Sequence, residues 1–388
     1  MTAIDPELQQ RIAAADRALS SGNHSAARDI LEQATAADPQ DPAFWQRLAT
    51  VRQMTGAPAK AIEAVDRALA IEPLDFMNLL MRARMLDQAG HPEAGEAYGR
   101  ALAQPRPVPL PPMLAQAIGR AETLWAAHQA GTETRLHAAV EASGADLTPA
   151  ERRRAERLAS NIARRTRAYH SEATHFHYPG LREAEFHDRE LFPWLAELEA
   201  LTPHIRAEMD ALANAADAEL VPYVKYGDSE PLAQWRELNH NRDWTAIHLI
   251  ERGETIAANA AHCPVTMGFL NGMQQPWVSG CGANAMFSLL APRTTIPAHV
   301  GVANFRLLCH LPLIVPGKCW FRVGAETRDF ETGKAWVFDD TIEHEAQNET
   351  DQLRVILIFD LWHPDLSPAE REAIAATVSA AAIPVGAL

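Results

Sequence analysis

At 388 residues, 47% hydrophobic and 22% charged, the chain has the make-up of a soluble globular protein of two or three domains. Its formal net charge of -15 excludes a general nucleic-acid binder, because no overall positive field draws phosphates to it. No apolar run reaches the roughly 20 residues of a membrane helix, and the polar start, MTAIDPELQQ, does not read as a signal peptide.

The first hundred residues repeat. Gly22, Gly56 and Gly90 are spaced by 34, as are Pro39, Pro73 and Pro107, and so are Ala27, Ala61 and Gly95. A 34-residue period, with Gly between two helices and Pro after the second, is that of tetratricopeptide repeats. Each unit is a helix pair that cannot bury its own apolar face, so units stack into an α-helical solenoid, expected over residues 1–107. Five prolines between Ala103 and Met113 break the pattern and mark a bend or boundary. Helical periodicity returns from Leu114 to about Ala168, a helical bridge or capping segment spanning 108–168. Its basic run, Arg152 to Arg167, alternates with Glu and Ala at helical spacing and reads as a solvated face.

From Tyr169 the composition changes, and 169–388 reads as one β-rich domain with a C-terminal helix and tail. His170, His175, His177 and His187 open it at irregular spacing in a loop-like stretch, as surface or supporting residues. A helix is expected over Trp194 to Glu219. Six strand-like segments follow, among them NFRLLCHLPLIV and LRVILIFDLW, separated by Gly, Pro, Asn and Asp. A tight hairpin is expected around Gly333. Short antiparallel strands without intervening helices argue for a sandwich or barrel. Cys263, Cys281, Cys309 and Cys319 show neither zinc-site spacing nor a disulfide framework, which favours a reducing, cytoplasmic compartment.

Four polar residues stand in otherwise apolar strands: His299, His310, His344 and Arg354. Buried imidazoles and a buried guanidinium cost free energy unless something pairs with them. A metal and a dicarboxylate would satisfy all four. By strand alternation Arg306, Leu308 and His310 share one face, and Arg354 shares another with Ile356, Ile358 and Asp360. An Arg flanked by Ile needs an anion, and a carboxylate matches its fork. The alternative is an internal ion pair with Asp360. His299 and His344, on neighbouring strands, can bind Fe(II) through ring nitrogens. The usual pattern puts a carboxylate two residues after the first His, where this chain has Gly301.

The segments HVGVANFRLLCHL, FDDTIEHEA and LRVILIFDLWHP, in this order and spacing, resemble the aspartyl/asparaginyl β-hydroxylases, a family of Fe(II)- and 2-oxoglutarate-dependent oxygenases. The likeness runs from about Pro222 to Pro364, and animal members also carry tetratricopeptide repeats ahead of the oxygenase. It implies a multidomain α + β chain, the solenoid followed by a double-stranded β-helix of the jelly-roll or cupin kind. It implies that His299 and His344 are the catalytic metal ligands. Arg354, helped by Ser288, would clamp the distal carboxylate of 2-oxoglutarate, His310 would contact the cosubstrate near the metal, and Arg306 would lie near substrate or cosubstrate carboxylates. Fe(II), 2-oxoglutarate and O2 would together hydroxylate an unactivated C–H and release succinate and CO2. The implied substrate is an Asp/Asn-like residue of a peptide or protein, captured by the helical repeats.

Two positions depart from the family. Leu308 stands where animal enzymes have a second arginine, which weakens the case for an Asp side chain as substrate. Cys263 resembles one half of a disulfide of secretory-pathway members, whose other half is absent. Because bacterial members act on free amino acids and on lipid acyl chains, those are the alternative substrates. A repeat-based interaction scaffold with an inactive oxygenase domain is the alternative of another class.

Overall fold

The computed structural model describes residues 6–215, 220–225, 227, 235–278 and 281–381. The chain divides into two compact units, Met1–Thr166 and Arg167–Leu388.

The first unit is helical: α1 (Pro6–Ser20), α2 (His24–Ala37), α3 (Pro42–Met54), α4 (Pro58–Ile71), α5 (Phe76–Gln88), α6 (Ala94–Leu102), α7 (Pro112–Ala142) and α8 (Pro149–Ile162). The 34-residue glycines end α1, α3 and α5 with φ of 77°, 74° and 65°, a left-handed turn that side chains resist. Asn23, Asp41 and Asp75 cap α2, α3 and α5 by accepting from backbone N–H groups. Ala27, Ala61 and Ala64 are fully buried where successive helices meet. The helical bridge or capping segment expected after the prolines is two helices, α7 and α8. Gly144 turns with φ 62°, and Thr148 and Glu151 form a reciprocal capping box that starts α8.

The second unit opens with an irregular stretch whose His187 N–H donates to the Val337 carbonyl. Its elements are α9 (Leu195–Ala200), α10 (Thr202–Ala213), β1 (Val221–Pro222), β2 (Trp244–Glu251), β3 (Glu254–Thr255), α11 (Ala257–Ala260) and α12 (Pro264–Asn271). They continue as β4 (Ala285–Leu290), β5 (Thr295–His299), β6 (Arg306–Ile314), β7 (Cys319–Val323), β8 (Glu326–Asp329), β9 (Trp336–Phe338), β10 (His344–Asn348), β11 (Arg354–Trp362) and α13 (Pro368–Ala381). The single helix expected over Trp194 to Glu219 is two helices, and its last residues lie outside the described ones, as does the C-terminal tail beyond α13.

Among the described residues two sheets form. The larger runs β1-β2-β4-β11-β6-β9, with β3 beside β2, and the smaller runs β5-β10-β7-β8; the pairings are antiparallel. One face of the larger sheet, with Phe287, Leu307, Leu357 and Phe359, packs on Leu198, Ile205 and Leu270 of the helices. Its other face, with Trp244, Met286, Ile356 and Ile358, meets Ile296, Phe321 and Ala346 of the smaller sheet. The central strands β6 and β11 are therefore covered on both sides. The hairpin expected around Gly333 does not form: the residue turns with φ 76°, but β8 before it pairs with β7, and β9 after it pairs with β6 in the other sheet. No helix among the described residues is long and apolar enough to cross a membrane.

Two outcomes test this packing. A Cβ at Gly99 would stand 2.7 Å from the rigid Trp125 ring, so Gly99→Val should overpack α6 against α7 and lower the stability of the helical unit by about 1–3 kcal/mol in urea unfolding. His187 is 6% exposed, neither ring nitrogen has a partner among the described residues, and burial, then His363 and Arg182, against Asp365, depress its pKa to about 3. Above the unfolded pKa near 6.5 this adds no penalty; as pH falls toward 3 the unfolded chain takes the proton first and stability is lost. The His187→Phe variant should lose about 2 kcal/mol less than the parent between pH 7 and pH 5, read from denaturant midpoints; equal losses would refute the assignment.

Candidate active site

Strand register brings the two expected ligands together. His299 ends β5, His344 begins β10, and the two are direct cross-strand partners. Their ring centroids are 4.0 Å apart. Each ring is fixed by its own backbone: His299 Nδ1–H donates to the Pro297 carbonyl at 2.7 Å, and His344 Nδ1–H to the Ile342 carbonyl at 3.0 Å. A carbonyl only accepts, so Nδ1 carries the proton and Nε2 keeps its lone pair. Burial, then the neighbouring His344, holds the His299 pKa well below its ordinary value, and burial holds that of His344 at about 4. Both rings are neutral at neutral pH, the form that binds a metal.

A side chain at position 301 would have to displace Asp340. A Cβ would overlap the Asp340 carboxylate, and Gly301 N–H donates to the Asp340 carbonyl at 2.6 Å. The space beside Gly301 is thus filled by Asp340 of the FDD segment.

Arg354 begins β11 and is 1% exposed. Its Nε and Nη1 have no partner among the described residues, the Phe330 ring lies 5.2 Å from its Cζ, and burial lowers its pKa to about 10. The alternative pairing with Asp360 is overturned. Asp360 lies near the opposite end of β11 and binds Arg306 at 3.1 Å, with Asn284 donating to it from backbone and side chain. Ser288, opposite Ile356 on β4, accepts from Trp244 Nε1 at 3.0 Å, so its own hydroxyl proton is left to donate elsewhere. His310 pairs with Ile358 and sits among Phe321, Phe330 and Phe338; its Nδ1 has no partner among the described residues, and burial, then Arg354, keep it neutral.

Two small cavities meet at the histidine pair. One, of about 40 Å3, is lined by Ser288, His310, Phe330 and Arg354 together with His299 and His344. The other, of about 100 Å3, shares both histidines and is lined by Met286, Arg306, Leu308, Asp340 and Asp360. Five of the six expected site residues therefore surround the first cavity. Arg306 does not. It stands in the second, where Nη1 reaches Asp360 and Nη2 reaches Asp340, each at 3.1 Å. Burial opposes its charge, but Asp340 and then Asp360 hold its pKa above the ordinary value. Burial raises both carboxyl pKa values, and Arg306 opposes that. His170, His175 and His177 are exposed, and none of the four early histidines joins the site.

Sequence reading missed several contributors. Trp244 orients Ser288, Tyr223 stacks on Trp244 at 3.8 Å and borders both cavities, and Trp235 packs edge-on at 4.9 Å from His299. An indole with its N–H in an apolar strand was the available signal for Trp244. Chemically, the arrangement offers two neutral nitrogen donors to a divalent metal, and beside them an unpaired guanidinium and a hydroxyl to a carboxylate.

Residues 199–364 match the family described as Aspartyl/Asparaginyl beta-hydroxylase, and residues 18–80 match Tetratricopeptide repeat. The chain is 33% identical over 196 residues to "Aspartate beta-hydroxylase domain-containing protein 2" of Xenopus tropicalis, covering 50% of this chain and 49% of that protein. It is 33% identical over 202 residues to "Ornithine lipid ester-linked acyl 2-hydroxylase" of Rhizobium tropici, covering 51% of this chain and 68% of that protein. It is also 33% identical over 147 residues to the human "Aspartyl/asparaginyl beta-hydroxylase", covering 37% of this chain and 19% of that protein. The chain thus spans about half the length of its Xenopus relative, and less of the human one. On these matches, with helical repeats ahead of a sheet-rich unit that holds the paired histidines, the chain belongs to the aspartyl/asparaginyl β-hydroxylase family.

Proposed function

We propose that the sheet-rich unit is a double-stranded β-helix oxygenase that uses Fe(II), 2-oxoglutarate and O2 to hydroxylate an unactivated C–H. The observation that carries this reading is the set of buried polar atoms around one cavity that have no partner among the described residues: Arg354 Nε and Nη1 and His310 Nδ1, next to two histidines whose Nε2 atoms are left as acceptors. Such atoms cost free energy in an apolar setting, and a divalent metal with a chelating dicarboxylate is complementary to all of them. The residues present fit the group.

When bound, iron with the keto acid supplies the oxidising chemistry, with succinate and CO2 as co-products. The protein's part is placement. His299 and His344 hold the metal through Nε2, their rings fixed by the Pro297 and Ile342 carbonyls. Arg354 pairs with the far carboxylate, and Ser288, held by Trp244, donates its hydroxyl proton to the same group. His310, neutral among three phenylalanines, faces the nearer part of the cosubstrate. The aromatic wall keeps water out, which strengthens each of these contacts.

The substrate we favour is an Asp/Asn-like residue in a peptide or protein, with the repeats offering a stacked helical surface for an extended segment. A second reading, a free amino acid or a lipid acyl chain, draws on the aliphatic side chains Met286, Leu308 and Ile358 in the larger cavity, and on the Rhizobium relative named as an acyl 2-hydroxylase. The four buried thiols, none in a disulfide, support a reducing, cytoplasmic setting.

Incubated with Fe(II) and 2-oxoglutarate in air, the full chain should release succinate; no release, and no binding of 2-oxoglutarate, would leave the scaffold reading. The iron-free protein at 100 times the dissociation constant of 2-oxoglutarate should gain about 2.7 kcal/mol in stability. Arg354→Met should raise the required 2-oxoglutarate concentration by roughly thirtyfold or more, the cost of breaking a buried carboxylate pair. The double variant His299→Ala/His344→Ala should lose the melting-temperature rise given by Mn(II) yet keep the Arg354-dependent response to 2-oxoglutarate.

A further inference from the structure

A third cavity, of about 540 Å3, opens where α12, the start of α13 and the last residues of β11 meet the stretch before α9. It shares no lining residue with the two cavities at the histidine pair. Its volume falls within the roughly 300–1,000 Å3 usual for small-molecule sites.

The walls are aromatic. Phe192, Trp194, Phe269 and Trp362 line the cavity, and Trp194 stands edge-on to Phe192 at 5.8 Å and to Phe269 at 6.1 Å. Such a surface favours a further ring set face to edge against it. Gly268 of α12 lines the same cavity with bare backbone. A Cβ there would meet nothing within 4 Å, so the protein's own packing does not demand a glycine. Glycine inside a helix costs about 0.5–1 kcal/mol relative to alanine. The gain is open space against the helix, which a flat body can occupy.

Two charged side chains border the cavity, Glu197 and Arg371. Glu197 is exposed, and water screens its charge. Arg371 is half-buried in the first turn of α13, where the helix dipole disfavours a cation and favours an anion beside it. Its acidic neighbour Glu370 is engaged elsewhere, accepting from the Ser367 N–H and the Tyr178 hydroxyl. Among the described residues Arg371 Nη1 donates to Gln274 Oε1 at 2.7 Å, Nε is buried without an acceptor, and no carboxylate pairs with the guanidinium. Nη2 is thus the donor left to the cavity.

We infer that this third cavity binds a small organic acid, its aromatic body against Trp194, Phe269 and Trp362 and its carboxylate on Arg371. The site is independent of the chemistry at the histidine pair.

Three probes carry one body with different heads: 3-phenylpropanoate, 3-phenylpropanamide and 3-phenylpropylamine. Titrated calorimetrically into the full chain, the acid should bind about fivefold or more tightly than the amide, the worth of one partly exposed charge pair, and the amine should bind least. Arg371→Gln should erase the acid's advantage. Gly268→Leu, which fills the open space without a clash, should weaken all three while circular dichroism stays unchanged. Arg354→Met should leave the acid's affinity as it was, which separates this site from the guanidinium at the histidine pair. An acid bound no better than the amide, an amine bound best, or an advantage that survives Arg371→Gln would overturn the inference. So would loss of acid binding in Arg354→Met, or no binding by any probe, the result expected if protein covers the cavity instead.

Discussion

All nine residues of β11 are buried, and two of them, Arg354 and Asp360, are ionisable. A strand covered on both faces cannot turn a charge to water, so each end of β11 dictates what surrounds it. At Asp360 the answer is internal, through Arg306 and the two Asn284 contacts. At Arg354 no carboxylate answers among the described residues, and the guanidinium lies against Phe330 with two nitrogens unpaired. One end of the strand is thus a closed ion-pair network, and at the other two guanidinium nitrogens have no partner among the described residues. The two ends line different cavities, Asp360 the larger and Arg354 the smaller, and both cavities reach the histidine pair.

The smaller sheet supplies the rest. His299 and His344 lie far apart in the chain, yet antiparallel pairing of β5 with β10 sets them side by side. The carbonyl two residues before each ring fixes its tautomer, so orientation comes from the backbone rather than from further side chains. The site is therefore as rigid as the sheet edge that carries it.

Much of this was legible in the sequence where periodicity or cost betrayed it. The 34-residue glycines marked the left-handed turns between helices, and an arginine sharing a strand face with Ile356 and Ile358 marked a buried cation in want of an anion. What escaped reading depended on contacts between distant strands. Nothing local tells that Asp360 meets Arg306 rather than Arg354, since all three share apolar surroundings and the choice is made by register. The turn at Gly333 was visible, but not that the chain changes sheets there, because turn chemistry does not name a strand's partner. The role of Trp244 was hidden for the same reason: its bond to Ser288 crosses from β2 to β4.

The close approach of Gly301 and Asp340 makes the two-histidine arrangement hard to leave by single steps. An acidic side chain at position 301 would collide with Asp340, and removing Asp340 first would strip Arg306 of one of its two buried anions. Arg306 would keep Asp360, so the loss falls on the Asp340 side of its fork. A side chain at position 301 and the Asp340 carboxylate therefore compete for one space. Changes at positions 301 and 340 are thus coupled: what can stand at one depends on what fills the other.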